Sequence, residues 1–130
     1  MDADLERRLS FFEEHGQVDG DLCRFVRAEL ELLASEGVPV TEESAGMFAT
    51  HLLMALQRVR AGEPVDVPES ADLIAVQLQG QEAAVARARE LAGRGATEHA
   101  VQLPAHEVDF VALHIATLTV GQVASGGATP

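Results

Sequence analysis

Apolar residues in this chain recur at helical spacing between glycine stops, and no run alternates apolar with polar as a half-buried strand does. That pattern confines the chain to an all-α fold. Leu5, Leu9 and Phe12 mark a helix over 3–14, closed by Gly16. Asp19 or Asp21 caps a second helix carrying Leu22, Phe25, Val26, Leu30 and Leu33, which ends at Gly37 before Pro39. Thr41, followed by Glu42 and Glu43, opens a third that stops at Gly62. Asp66-Val-Pro-Glu69 reads as a capping box for a short helix over 69–79, although Leu73-Ile-Ala-Val76 has no periodicity to exclude a strand. An alanine- and arginine-rich helix over 81–92 ends at Gly93 and Gly95. Pro104 opens a last helix, which reaches about Val120 before Gly121.

Residues 1–17 thus form an N-terminal helical extension, 18–122 a five-helix domain, and 123–130 a disordered Ser/Gly/Ala/Thr/Pro tail. Short connections between the helices predict a compact bundle of antiparallel neighbours.

Charge limits the partners. Nine basic residues, all of them arginine, stand against 21 acidic ones, a net charge of −12. Such a chain repels nucleic acid, so direct DNA or RNA binding is not expected. The N-terminus is acidic and no long apolar run follows it, so neither a secretory signal nor a membrane span is expected, and the chain reads as cytoplasmic. The single cysteine, Cys23, lies in an apolar stretch and reads as a small buried hydrophobe.

The histidines are the remaining source of chemistry. His15, at a helix end, is placed to meet terminal carbonyls, and His99 falls in a polar loop. His51 and His114 differ, because both fall inside long helices on faces that carry apolar residues. His51 shares a stripe with Met47, Met54, Ala55 and Arg58, the arginine two turns further on. His114 is flanked by Phe110, Val111 and Leu118, and Glu107 precedes it by two turns on the same face. His106, Glu107 and His114 do not make a metal site, because the two histidines are eight residues apart and out of phase on the helix. No Gly-x-Ser-x-Gly elbow or phosphate-binding glycine loop is present. No metal, no cofactor and no enzymatic activity are therefore expected. A labile phosphoryl group on an imidazole remains. On so acidic a chain it requires a counter-charge, for which arginine is the best match and Arg58 the local candidate.

Two segments carry a resemblance. Thr50-His-Leu-Leu-Met-Ala-Leu-Gln-Arg58, followed by Gly62-Glu63, resembles the first signature of the phosphotransferase-system regulation domain, abbreviated PRD. Leu103-Pro-Ala-His-Glu-Val-Asp-Phe-Val-Ala-Leu-His114-Ile resembles its second signature, and the two histidines are 63 residues apart, close to the family's usual separation. The match covers roughly residues 20–120, and the chain looks like a small free-standing member with a single copy of the domain.

The resemblance implies a compact five-helix bundle that forms homodimers, here with an extra N-terminal helix. It implies phosphorylation of His51 and His114 by the sugar phosphotransferase system, through the phosphocarrier HPr or a permease's B component. Arg58 and Glu107 match the motif arginine and glutamate that would support the phosphate or the interface. Such domains regulate transcription of carbohydrate genes, and this chain would act through protein–protein contacts on another regulatory protein. The alternative expectation is a dimerisation and interaction scaffold that keeps the PRD fold without phosphorylation.

Overall fold

A computed structural model describes the backbone over residues 1–63 and 67–127 and the side chains over 1–63 and 67–119. The described residues contain six helices and no strand: α1 (Ala3–Glu14), α2 (Gly20–Ser35), α3 (Glu42–Arg60), α4 (Ala71–Gln77), α5 (Glu82–His99) and α6 (Ala105–Gly127). The all-α expectation holds, and 71–77 is a helix rather than a strand.

The helix ends follow local chemistry. Asp2 caps α1, its Oδ1 accepting from the backbone N–H of Asp4 at 2.8 Å and of Leu5 at 3.2 Å. At the head of α3, Thr41 Oγ1 accepts from the Ser44 N–H at 3.1 Å, while Ser44 Oγ accepts from the Thr41 N–H at 2.9 Å. This reciprocal pair is a capping box with serine in the third position. Gly37 and Gly62 follow α2 and α3 at φ +89° and +74°, in the left-handed region that glycine enters without steric cost.

Three boundaries differ from the sequence expectation. α4 starts after Ser70, which makes no side-chain cap hydrogen bond; of the expected capping box, Glu69 precedes the helix and Asp66 lies outside the described residues. α5 runs through Gly93 and Gly95 to His99. A glycine inside a helix costs only about 1 kcal/mol relative to alanine, which good neighbours such as Leu91, Ala92 and Arg94 offset. The chain turns instead at Ala100, in the left-handed region at φ 55°, where the Val101 N–H returns to the Gly95 carbonyl at 3.2 Å. α6 likewise passes Gly121, where the expected helix stops, and reaches Gly127. The expected tail over 123–130 therefore begins inside this helix, and its last three positions, 128–130, lie outside the described residues.

The chain divides into two compact units, Met1–Leu53 with 117–130, and Met54–Ala116. In the first, α1 packs on α2. Leu5 and Leu9, one turn apart on α1, are 0% exposed, and Arg27 Nε donates to Glu6 Oε2 at 2.9 Å between the two helices. Phe48 is the largest fully buried side chain, at 1% exposure. Cys23 is buried as expected, and burial pushes its thiol pKa up. In the second unit the buried side chains include Leu56, Ile74, Leu91, Val101, Val111 and Ile115. There Arg60 Nη2 donates to the His99 carbonyl at 3.0 Å, a cation on the last turn of α5.

Candidate functional site

His51 lies on α3 in the first unit and is half-buried. Helical phase puts Met47, one turn before it, and Met54, almost one turn after it, on the same face. These two methionines are 75% and 38% exposed. The Met47 and Met54 side of this imidazole is therefore open and apolar, while Ala55, on the same stripe, is buried. Arg58 follows on the same stripe, exposed, with Nε 3.8 Å from Glu63 Oε2.

The second signature falls on α6 in the second unit. His114 is half-buried and its ring lies 4.5 Å from that of Phe110, tilted by 57°. Glu107 is buried, and its Oε1 stands 3.6 Å from His106 Nε2. His106 is itself nine-tenths buried, and that ring nitrogen has no hydrogen-bond partner. Among the described residues no three His, Cys, Asp or Glu side chains converge as metal ligands.

The other histidines do ordinary work. His15 stacks on Phe11 at 4.1 Å, and its Nδ1 lies 2.9 Å from the Phe11 carbonyl at the end of α1, as expected. His99 is the last residue of α5 and half-buried, not part of a polar loop, because α5 continues past its glycines.

A further assembly beside His51 is absent from the sequence motifs. Arg8, on α1, forks onto Glu42 at the start of α3: Nε donates to both carboxylate oxygens, at 2.9 and 3.0 Å, and Nη2 donates to Oε1. Arg8 Nη1 donates to Thr50 Oγ1 at 2.9 Å. Thr50 immediately precedes His51. Arg8 is 42 residues from Thr50 in the chain, so no local pattern links them. The one available signal was Gly46, a glycine well inside a helix.

This pairing makes stability depend on acid. The Arg8 guanidinium holds the Glu42 carboxyl below the usual glutamate range, and the Leu5 N–H does the same for Asp2. Both groups bind their protons more weakly in the folded chain than in the unfolded one. Their contribution is complete above their ordinary values, 4.5 for Glu42 and 3.8 for Asp2, and is lost as pH falls through the lower folded values. Urea midpoints are expected to decline below about pH 4.5, and Arg8→Ala to make that decline shallower. An unchanged acid slope in the variant would show that the pair contributes nothing.

No helix among the described residues is long and apolar enough to cross a membrane. No family model matches the chain, and no solved structure matches it. Uncharacterized protein YhfY of Escherichia coli (strain K12) is 35% identical over 63 residues, 48% of this chain and 52% of that protein. The chain thus spans about half the length of the curated relative it matches.

Proposed function

We propose that this chain is a regulatory module of the PRD type, a cytoplasmic five-helix domain with an additional N-terminal helix. Its His51 and His114 accept phosphoryl groups from the sugar phosphotransferase system, by way of HPr or a permease B component. It acts as a homodimer through contacts with another regulatory protein in the control of carbohydrate genes. The two signature segments motivate this reading, and the observation that carries it is the setting of His51. A half-buried imidazole lies beside an open edge of α3, with Met47 and Met54 exposed along it and Arg58 further on. A protein donor can reach such a ring, and apolar contacts around it would bury on docking.

The transfer is a simple exchange. With HPr as donor, the phosphorus–nitrogen bond of its phosphohistidine breaks, and a new one forms on the acceptor imidazole. The acceptor's ring proton passes to the donor imidazole or to solvent. The added charge, about −1.5 to −2 if other protein phosphates are a guide, falls on a chain already at −12. It therefore alters the packing of whatever covers that face, which is the kind of bistable contact a switch requires.

The test is incubation with phosphoenolpyruvate, the general phosphotransferase enzyme and HPr, and in a parallel reaction a permease B component. Acid-labile label on the wild type is expected, reduced in His51→Ala and in His114→Ala and absent from the double variant. No label on the wild type, or full label on the double variant, refutes phosphorylation. The exposed Met47, Leu73 and Val76 favour the second reading, an interaction scaffold that works without phosphate. That reading gains if the chain stays unlabelled yet dimerises.

A further inference from the structure

Glu42, Gly46 and Thr50 stand at successive four-residue steps on α3, and Arg8 lies along that strip. The strip is built for the guanidinium. A Cβ on Gly46 would stand 3.0 Å from the Glu42 carboxyl carbon and from both of its oxygens, so the bare α-carbon lets the carboxylate fold back over the helix where a side chain would push it aside by a few tenths of an ångström. A helix-interior glycine costs about 1 kcal/mol, a loss of helix stability that goes with placing this carboxylate. Thr50 Oγ1 accepts from Arg8 and donates to the Gly46 carbonyl at 3.1 Å, so its single O–H is committed to the helix backbone and a lone pair faces the guanidinium. The Arg8 side chain keeps 30% of its exposure, enough to exchange partners without unfolding α1.

His51 is the next residue after Thr50, about 100° further around α3. We propose that Arg8 is a positioning residue for a phosphoryl group on His51, and that Glu42 is the carboxylate that competes with that group for the guanidinium. The inference rests on reading His51 as a phosphoryl acceptor. A guanidinium fork matches carboxylate and phosphate oxygens alike. The phosphoryl group carries the greater charge, and so draws the fork away from Glu42. Phosphorylation of His51 thereby loosens one tie between α1 and α3.

The charge role and a merely structural role make opposite predictions. Arg8→Gln and Glu42→Gln break the same ion pair, so a structural role moves both variants the same way. Under the proposal Arg8→Gln removes the cation that stabilises the phosphoryl group, whereas Glu42→Gln removes its competitor. The full chain is labelled with potassium phosphoramidate, whose phosphorus–nitrogen bond breaks as one forms on the imidazole and ammonia leaves. Label at each histidine and its decay are read by mass spectrometry.

Arg8→Gln is expected to lower the label and half-life at His51 about two- to fivefold, and Glu42→Gln to raise them by a similar factor, the size of effect that one solvent-screened unit charge produces. Label at His114 serves as the internal reference. Thr50→Val removes the hydroxyl anchor, leaves the ion pair, and is expected to lower His51 label in the same direction as Arg8→Gln; it decides the matter if Arg8→Gln folds poorly. A wild type without label overturns the phosphorylation reading and this inference with it. A labelled wild type in which Arg8→Gln and Glu42→Gln shift together, or not at all, overturns the positioning role alone.

Discussion

Phe48→Ala is expected to lower the unfolding free energy by about 3–5 kcal/mol, the largest loss from any single side chain considered above. Phe48 is 1% exposed and is the largest of the fully buried residues. Truncating it removes the transfer energy of a ring and leaves a cavity that helical neighbours fill poorly, since Ala45, Ala49 and Leu52 are fixed on the same helix. Domains of this size have about 5–15 kcal/mol in all, so the variant keeps only part of its stability. Thermal unfolding is expected to move down by roughly 10–20 °C. Its neighbour Met47 is 75% exposed and supplies the control: Met47→Ala is expected within about 0.5 kcal/mol of wild type. Equal losses at the two positions would mean that α3 is rotated from the orientation described.

Leu9→Ala is the second large effect, about 2–5 kcal/mol. α1 has 12 residues, a length at which an isolated helix is marginal in water. It persists because Leu5 and Leu9 are fully buried on one face and because Arg27 and Arg8 tie it to α2 and α3. Removing the Leu9 side chain weakens the docking that keeps Arg8 at Thr50. Amide exchange across α1 is therefore expected to accelerate more than exchange across α5. A loss below about 1 kcal/mol would show that α1 contributes little to its unit.

What the sequence disclosed and what it withheld follow one physical distinction. Ends governed by a left-handed residue or a side-chain cap, at Gly16, Gly37, Thr41 and Gly62, are local events, and the residues announce them. Gly93, Gly95 and Gly121 misled because a glycine punctuates only when the chain needs its left-handed conformation; inside α5 and α6 it is a minor entropic cost. The turn after α5 falls on an alanine instead, where no residue type signals it. The candidate histidines were legible as imidazoles on apolar faces. Arg8 was not, because its partners are 34 and 42 residues away and every arginine looks alike until a fold brings one to a hydroxyl. Glu107 reads in sequence as standing two turns before His114 on one face; its closeness to His106, the residue beside it, was not read from the pattern, since adjacent long side chains can fold toward each other at the start of a helix.

The eight-residue step from Glu42 to Thr50 carries a constraint on chain length as well as on composition. Inserting or deleting one residue between them would swing one end of the strip about 100° around the helix, and a single planar guanidinium could no longer span both. Hydrophobic repacking can absorb a changed side chain, but not a changed phase. A distant sequence with this clasp should therefore show the acid, the glycine and the hydroxyl in unbroken register, with an arginine on the helix before them, even where little else aligns.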